Sequence, residues 1–231
     1  MDVEILSNIS DATIEVSEYI NIEVTEDGWN VQATDDSRLA LFSFSLSKDS
    51  FATLRVARQT TMCIESSVLQ TVIKTMAPAK LVHIQLIDKA LNIEGNCKGK
   101  NILCELKILE HRSDQLRIPE MDFECVVNLS SVEFVKACKI NVEETLHIQA
   151  GSDIVFTSKG KVCDSHIQYT DAVMKESSEF TLEFASKHLS LFARGILMSK
   201  MVVLGMSPGS PIRIEFSVVG GHMCYFLSPV N

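Results

Sequence analysis

Near the middle of the chain runs the stretch Asp114-Gln-Leu-Arg-Ile-Pro-Glu-Met-Asp-Phe-Glu-Cys-Val-Val-Asn128, on which the interpretation of the whole sequence depends. Its first part cannot lie inside a helix, because Pro119 lacks a backbone donor and biases the preceding residue away from helical geometry. Its end is typical of the start of a strand. The stretch is therefore predicted to be an ordered connector that carries the apolar side chains of Leu116, Ile118 and Phe123.

The composition is that of an ordinary globular protein. The chain has 231 residues, of which 46% are hydrophobic and 22% charged. This length is enough for one large domain or two ordinary ones. We expect no membrane span, because no run of about 18 apolar residues occurs, and no signal peptide, because the N-terminus lacks a basic start and an apolar core.

The cysteines do not indicate a zinc site or a disulfide framework. None of them forms a Cys-x-x-Cys pair, and their number is odd. We expect reduced, mostly buried thiols in an intracellular protein. The seven are Cys63, Cys97, Cys104, Cys125, Cys138, Cys163 and Cys224.

The net charge of −9 argues against a simple nucleic-acid-binding module, but the charge is unevenly distributed. Ten acidic residues precede the first basic one, Arg38. From Arg38 onward, 20 acidic residues stand against 21 basic ones. Basic faces therefore remain possible in most of the chain.

Three short strings recur about half a chain apart, which indicates an internal duplication, although chance matching is the alternative. We interpret the first pair as helix starts, the second pair as parts of strands, and the last pair as strand ends before a second helix. The pairs are Asn8-Ile-Ser-Asp11 with Asn128-Leu-Ser-Ser131, Val31-Gln-Ala33 with Ile148-Gln-Ala150, and Ile64-Glu65 with Leu182-Glu183.

Most of the remaining sequence alternates apolar and polar residues, as half-buried strands do. The predicted strands are Arg38–Leu46, Leu81–Ile93, Ile102–Leu109, Cys125–Leu129, Asp153–Thr157, His166–Tyr169, Phe180–Phe184, Ile212–Val219 and Met223–Leu227. Helices are predicted near residues 10–20, 66–76, 131–140 and 186–194. Each half thus reads as an antiparallel sheet with two short helices, which is an α+β arrangement.

Three of the predicted helices should turn basic side chains away from their apolar faces. The basic residues are Lys74, Lys136, Lys139, Lys187 and Arg194. The first helix differs, since its polar face would carry Asp11, Glu15 and Glu18. Any helix on a sheet has a polar face, so these faces indicate nucleic-acid binding only if several of them line one concave surface.

No enzyme motif is present. The sequence lacks the glycine-rich phosphate loops, the His-Glu-x-x-His motif and the Gly-x-Ser-x-Gly elbow. The pair Asp35-Asp36 could in principle hold a metal, but a solvated turn between strands is the favoured interpretation. We therefore expect no catalytic residue, no metal site and no cofactor.

Several strings keep a fixed order and spacing over nearly the whole chain: Asn30-x-Gln-x-x-Asp35-x-Ser37, Leu39-x-Leu41, Phe51-x-x-x-Arg55 with Arg58, Gln115-Leu-x-Ile-Pro-Glu120, Phe123-x-Cys-Val-Val127, Glu133-Phe134 and Gly221-His-x-x-Tyr-Phe-Leu-x-Pro229. In this order and spacing the chain resembles the eukaryotic-type proliferating cell nuclear antigen family, the sliding clamps of DNA replication. The resemblance is strongest from Gln115 to the end.

The resemblance implies the DNA clamp fold, with two similar domains per subunit and three subunits closed head to tail into a ring. The implied divisions are an N-terminal clamp domain at 1–110, an interdomain connector at 111–124 and a C-terminal clamp domain at 125–231. Edge strands of neighbouring subunits would pair, which protects them from aggregation. The implied interface residues are Cys104, Leu106, Ile108, Val162, Cys163, His166, Ile167 and Tyr169.

The resemblance also implies a central hole that holds duplex DNA without reading its sequence. The family positions that face DNA fall on Lys74, Lys107, Lys136, Lys139, Lys187 and Arg194, and Lys80 is a nearby addition. These include the helix faces obtained above from angular spacing alone.

A partner pocket is implied under the connector, where a short helical turn of the partner inserts its apolar anchors. We expect Ile118 and Phe226 to be partly exposed, whereas Leu39, Leu41 and Leu227 could equally be core. The implied partners are DNA polymerase, clamp loader, flap endonuclease and ligase in the nucleus. The pocket residues are Thr34, Arg38, Leu39, Leu41, Leu116, Ile118, Phe123, Pro211, Phe226, Leu227, Ser228 and Pro229.

The sequence departs from the family pattern at four points. Its first helix is acidic where lysines usually face DNA, Gly151 replaces the usual modification lysine, Thr34 replaces a long apolar side chain, and the common acidic tail does not follow Pro229-Val-Asn231. Two alternatives therefore stay open: a subunit of a heterotrimeric checkpoint clamp, and a metal-dependent enzyme that uses Asp35-Asp36.

Overall fold

The structure is a computed structural model of the chain, which divides into two compact units. Unit 1 comprises Met1–Asp36, Phe42–Arg117 and Val219–His222, and unit 2 comprises Ser37–Leu41, Ile118–Val218 and Met223–Asn231. The described residues are 1–110, 116, 118, 121–139, 144–161, 163–170, 173–174, 179–192, 199–218 and 220–230. The domain bounds given above stay a prediction.

Unit 1 is built mainly from two helices and seven strands. These are α1 (Val3–Thr13), β1 (Tyr19–Thr25), β2 (Gly28–Thr34), β3 (Ala40–Ser47), β4 (Thr60–Glu65), α2 (Ser66–Met76), β5 (Val82–Ile87), β6 (Ala90–Cys97) and β7 (Lys100–Lys107). The first four strands lie in the order β3-β2-β1-β4, and β1 pairs antiparallel with both β2 and β4. The last three form the antiparallel sheet β5-β6-β7.

Unit 2 contains the remaining elements. These are β8 (Cys125–Ser130), α3 (Ser131–Lys139), β9 (Thr145–Ala150), β10 (Ile154–Lys159), β11 (Asp164–Tyr169), β12 (Val173–Met174), β13 (Phe180–Ala185), α4 (Ser186–Phe192), β14 (Met201–Met206), β15 (Ile212–Val218) and β16 (Gly221–Leu227). One group of strands lies in the order β11-β10-β9-β13 and the other in the order β12-β8-β14-β15-β16.

The two units repeat one topology. In each, three successive strands are joined by a later strand that returns beside the first, which places β4 beside β1 and, after the intervening β12, β13 beside β9. A helix follows each returning strand, and three more strands follow the helix. The prediction of two similar domains, each with antiparallel strands and two helices, is confirmed.

Only one of the three recurring strings marks equivalent elements. Asn8 lies within α1, whereas Asn128 lies in the strand β8. Val31 lies in β2, whereas Ile148 lies in β9, whose counterpart in unit 1 is β1. The third pair does lie in the returning strands β4 and β13. The shared topology of the two units supports the duplication, although two of the string matches that suggested it do not mark equivalent elements.

Apolar helix faces pack on the sheets in both units, with different side chains. In unit 2, Phe192 of α4 stacks on Tyr225 of β16 with ring centroids 4.4 Å apart, and Phe216 meets the same tyrosine edge-on at 6.3 Å. In unit 1, α2 buries Leu69 and Ile73 instead. The lysines of these helices are thereby left on the opposite, exposed faces.

The predicted position of the first helix, near residues 10–20, is wrong. The helix α1 covers Val3–Thr13, because the carboxylate of Asp2 accepts a hydrogen bond from the backbone N–H of Glu4 and caps its first turn. The predicted acidic face is therefore divided. Asp11 lies in α1, but Glu15 and Glu18 follow it, and Tyr19 already begins β1.

Two predicted strand bounds also need correction. The range Leu81–Ile93 contains β5 and β6, which are separated by a tight turn at Asp88-Lys89, where Asp88 adopts a φ of 52°. The predicted strand Ile102–Leu109 is β7, which begins at Lys100 and ends at Lys107. The strands β1, β12 and β14 are absent from the predicted set.

The cysteines are all free, as expected. Burial raises the pKa of Cys125 to about 11 and that of Cys224 to about 12, so both thiols stay protonated at neutral pH. Cys163 is the exposed member of the set. Within the described ranges, no helix is long and apolar enough to cross a membrane.

The position of α1 predicts the effect of removing its cap. Asp2→Ala should lower the free energy of unfolding by about 1 kcal/mol, because the first turn loses a hydrogen bond to an otherwise unsatisfied N–H. Glu26→Ala, which removes an exposed carboxylate from the turn between β1 and β2, should change it far less. Urea unfolding of both variants measures the difference. Equal effects would place the start of α1 elsewhere.

Candidate functional site

The basic residues predicted on helix faces are exposed wherever the structure describes them. Lys74 lies on α2, Lys136 and Lys139 on α3, and Lys187 on α4, each on the side opposite the buried apolar residues. Lys80 follows α2 and Lys107 ends β7, and both are exposed. Arg194 lies outside the described residues. Their contact with DNA stays a prediction.

One of these lysines has a carboxylate partner on its own helix. The Nζ atom of Lys136 lies 2.6 Å from the Oε1 atom of Glu133, one helical turn earlier. Both side chains are partly exposed, so the pair contributes at most about 1 kcal/mol and can open at little cost. Lys136 is therefore a weaker attractor of phosphate than a lysine without an acidic neighbour.

The helix α1 supplies no basic group. Asp11 accepts a hydrogen bond of 2.7 Å from the side-chain amide of Gln70 on α2, which fixes its carboxylate between the two helices. No lysine or arginine occurs in Val3–Thr13. In unit 1, the helical positive charge is consequently limited to Lys74.

Each unit has more than one strand at the end of a sheet, and one end strand in each unit carries most of the predicted interface residues. In unit 1 this is β7, the outer strand of β5-β6-β7, and in unit 2 it is β11, the outer strand of β11-β10-β9-β13. These strands carry the predicted interface residues, except that Cys163 directly precedes β11, Ile108 follows β7 and Val162 lies outside the described residues. Two strand edges suitable for pairing between subunits therefore exist.

The free edge of β7 presents residues that the sequence reasoning missed. The backbone N–H of Ile108 donates to the Lys89 carbonyl at 2.9 Å and so faces β6. By alternation, the backbone groups of Leu103 and Glu105 face the free edge instead. Leu103 is also 64% exposed, whereas Leu106, a predicted interface residue, is buried in its own unit.

In β11, the side chains alternate between exposed and half-buried. His166 is exposed, while Ile167 and Tyr169 are half-buried. The hydroxyl of Tyr169 donates to the carbonyl of Glu133 at 3.0 Å, and its ring meets Phe156 edge-on at 5.8 Å. Tyr169 is therefore held by its own unit, and only its outer edge is available to a neighbour.

Several of the predicted pocket residues lie on the surface of unit 2. Leu39 is 42% exposed and its carbonyl accepts a 2.9 Å hydrogen bond from the Ser228 N–H, which brings these two predicted residues together. Arg38 precedes it at a φ of 56°, a left-handed turn position. The remaining half-buried residues of this set are Leu41, Ile118, Pro211 and Pro229. Leu39 is thus not a core residue.

Three predicted pocket residues are buried, which contradicts the expected exposure of one of them, Phe226. Phe226 is only 8% exposed, against the expectation of partial exposure, and Leu227 is 1% exposed. Phe123 is 3% exposed, because its ring fills the space that Gly205 leaves by lacking a Cβ. A Cβ at that position would lie 2.6 Å from the phenylalanine Cδ2. These residues support the surface from beneath and do not line it openly.

A charged group also contacts the Phe123 ring. The guanidinium carbon of Arg213 lies 4.8 Å from the ring centroid, within the range of a cation–π contact. Arg213 also approaches Glu215 at 3.4 Å. Neither Gly205 nor Arg213 is in the predicted set, although a glycine inside a strand pattern does indicate a close approach of another group.

The connector is fixed to unit 1 by one side chain. The amide of Gln32 donates to the Leu116 carbonyl and accepts from the Leu116 N–H, both at 3.0 Å. This pair of bonds imitates one rung of a β-ladder and leaves the Leu116 side chain 51% exposed. The other predicted pocket residue of unit 1, Thr34, is half-buried at the end of β2.

The acidic pair Asp35-Asp36 lies in the turn between β2 and β3, as the solvated-turn interpretation requires. Among the residues that the structure describes, no group of three or more His, Cys, Asp or Glu side chains could hold a metal ion. The candidate functional features are exposed basic side chains on the helices of both units, the outer strands β7 and β11, and exposed or half-buried apolar side chains of unit 2.

Comparison with known proteins agrees with this arrangement. The N-terminal domain of proliferating cell nuclear antigen matches residues 1–115, and its C-terminal domain matches residues 117–230. Proliferating cell nuclear antigen 2 of Drosophila melanogaster is 27% identical over 97% of this chain and 93% of its own length. A crystal structure of proliferating cellular nuclear antigen from Entamoeba histolytica superposes with a TM-score of 0.88 at 20% identity, covering 100% of this chain and 97% of that one.

A duplicated unit of antiparallel sheet and two helices, with basic helix faces, defines the DNA sliding clamps, a class of proteins that are not enzymes. With both domain matches covering nearly all of its length, the chain belongs to the proliferating cell nuclear antigen family.

Proposed function

We propose that three copies of this chain close head to tail into a ring that encircles duplex DNA and tethers DNA polymerase as a processivity factor. The observation that carries the proposal is the pair of unlike free edges, β7 in unit 1 and β11 in unit 2. An interface between two different surfaces of the same chain repeats from copy to copy and closes when the rotation permits. Such a ring holds DNA by enclosure and needs no catalytic group.

In this proposal, the DNA meets a lining of basic side chains. The lining comprises Lys74, Lys80, Lys107, Lys136, Lys139, Lys187 and Arg194. Phosphate contacts of this kind provide affinity without sequence information, which suits a protein that must move along any sequence. The acidic α1 and the pairing of Lys136 with Glu133 keep the attraction weak enough for sliding.

The partner site in this proposal is the surface of unit 2 that carries the exposed Leu39 and the half-buried Ile118. A partner peptide would place its aliphatic and aromatic anchors on these side chains and use the backbone near Ser228 for polar contacts. Polymerase, clamp loader, flap endonuclease and ligase would reach DNA through the same site, in the nucleus.

The ring predicts a defined particle. Native mass spectrometry of the purified chain should give the mass of three copies. Glu105→Pro should give folded monomers, because it removes a backbone donor from the free edge of β7 while leaving the pairing with β6 intact. Glu105→Ala keeps that donor and should remain trimeric. A monomeric wild type would contradict the homotrimer, and trimer formation only with a different subunit would favour a mixed ring.

The basic lining predicts the salt dependence of DNA binding. Lys139→Ala with Lys187→Ala should reduce the slope of log K against log salt by about 0.9 for each phosphate that is no longer neutralised. The matched variant, Lys48→Ala with Lys159→Ala, removes two exposed lysines from strand ends and turns and should keep the wild-type slope. Fluorescence anisotropy with labelled duplex DNA measures both. An unchanged slope in the first variant would move the DNA surface elsewhere.

The partner site predicts a loss of peptide binding without loss of assembly. Leu39→Ala with Ile118→Ala should weaken binding of a synthetic clamp-binding peptide at least about tenfold, since two anchoring side chains are truncated. Val68→Ala, which shortens a 41% exposed valine on α2, is the matched control. Isothermal titration measures affinity. Full affinity in the double variant, or its dissociation into monomers, would refute this location of the partner site.

A further inference from the structure

A cavity of about 340 Å³ lies on the surface of unit 1, where three chain segments meet. The segments are the turn from β1 into β2, the end of β3 and the turn that leads into β16. None of the lining residues belongs to the basic helix faces, to β7 or β11, or to the predicted partner pocket. The function proposed above therefore leaves this cavity without a role.

Two glycines allow the segments to approach closely enough to form the walls of the cavity. A Cβ atom at Gly28 would lie 1.9 Å from the carbonyl oxygen of Leu46, and one at Gly221 would lie 2.0 Å from the carbonyl oxygen of Ser45. Gly28 also adopts a φ of 143°, which other residues rarely reach. A side chain at either position would push the walls apart.

Hydrogen bonds join the same segments. The Lys48 N–H donates to the Asp27 carbonyl at 2.8 Å, which connects the segment after β3 to the turn after β1. The Ser47 N–H, at 2.9 Å, and the Ser50 hydroxyl, at 2.8 Å, both donate to the carbonyl of Gly220. The walls are therefore held together without a ligand, and binding would need little rearrangement.

Three polar side chains of the lining are available to a ligand. They belong to Asp27, Asn30 and Ser45, and in the part of the chain that the structure describes none of them has a hydrogen-bond or ion-pair partner. Ser45 lies between the buried Phe44 and Leu46, so its side chain is on the solvent side of β3. A ligand would replace water on a carboxylate, an amide and a hydroxyl.

The charge around the cavity is negative. Asp27 is the one acidic residue of the lining, and none of the lining residues is Lys or Arg. Lys48, just outside, is exposed and forms no ion pair among the described residues. In the adjoining segments 23–30 and 43–50, Lys48 is the single basic residue, and the acidic residues are Glu23, Glu26, Asp27 and Asp49. The cavity should therefore attract a cation and repel phosphate or carboxylate groups.

We propose that this cavity binds a primary alkylammonium group. Such a group has three N–H donors and no acceptor, and it would donate to the carboxylate of Asp27, the amide oxygen of Asn30 and the hydroxyl of Ser45. The charge-assisted bond to Asp27 would supply most of the affinity. The volume lies at the lower end of the range of small-molecule sites, about 300–1,000 Å³, and so suits a small amine or one extended side chain.

A lysine side chain of a partner protein and a free polyamine both carry this group, and two probes distinguish them. Cadaverine and a lysine blocked at both ends are each titrated into the isotope-labelled full chain. Both should shift the amide resonances of Gly28, Ser45 and Gly221 in a saturable manner. Tetramethylammonium, which has the charge without an N–H donor, should bind at least about tenfold more weakly. Tighter binding of the blocked lysine would identify a partner's side chain as the ligand, and tighter binding of cadaverine a free polyamine.

Four variants test the assignment of residues. Asp27→Asn keeps the size of the side chain but removes its charge, and should weaken binding of both probes at least about tenfold. Glu26→Gln removes a charge from the same turn outside the lining, and should bind like wild type. Ser45→Leu, which fills the cavity, should abolish the shifts, whereas Ser43→Leu, two residues earlier on the same side of β3, should keep them.

The proposal is overturned if neither probe gives saturable shifts in the millimolar range, or if the shifts lie outside the lining residues. Equal losses in Asp27→Asn and Glu26→Gln would also overturn it, because general electrostatic attraction would then be sufficient. Equal affinity for tetramethylammonium would have the same consequence. Ring formation and DNA binding do not enter these measurements, since the whole lining lies within unit 1.

Discussion

The unpaired backbone groups at the sheet edges are the constraint on which the proposed assembly of this protein depends. A strand inside a sheet satisfies its N–H and C=O groups on both sides, whereas an outer strand leaves one row open. In the proposed ring, each unit contributes one such row. The two rows lie on different strands, β7 and β11, with different side chains, so the proposed contact between copies would join unlike surfaces. Unlike surfaces are the requirement for a closed ring of three.

Much of the fold follows from short-range patterns in the sequence. The helix at 66–76 is recognisable because its apolar residues recur at helical spacing, and the structure has α2 at Ser66–Met76. The prediction fails where the deciding feature is small. The cap of α1 is the single carboxylate of Asp2, and the turn that separates β5 from β6 is Asp88-Lys89, without the glycine or proline that usually marks a tight turn.

The site is less accessible to sequence reasoning, because it depends on contacts between distant residues. Gln32 and Leu116 are 84 positions apart, and nothing in either segment indicates that one side chain completes the backbone pairing of the other. The burial of Phe226 is likewise a tertiary effect. Tyr225, Phe226 and Leu227 are buried in succession, so β16 is covered on both faces, and alternation cannot distinguish its two sides.

The charge distribution reconciles an acidic protein with a nucleic-acid ligand. A module that binds DNA by affinity alone needs a strong positive surface, and a net charge of −9 would oppose it. A ring that encloses DNA has a different requirement, since its lifetime on the duplex is set by ring opening and its contacts need only centre the duplex. Strong contacts would slow its movement, because each step breaks several of them. The helices carry few lysines, one of them is paired with Glu133, and the excess acid of the chain is concentrated before Arg38. These features suit a protein that encloses DNA better than one that binds DNA tightly.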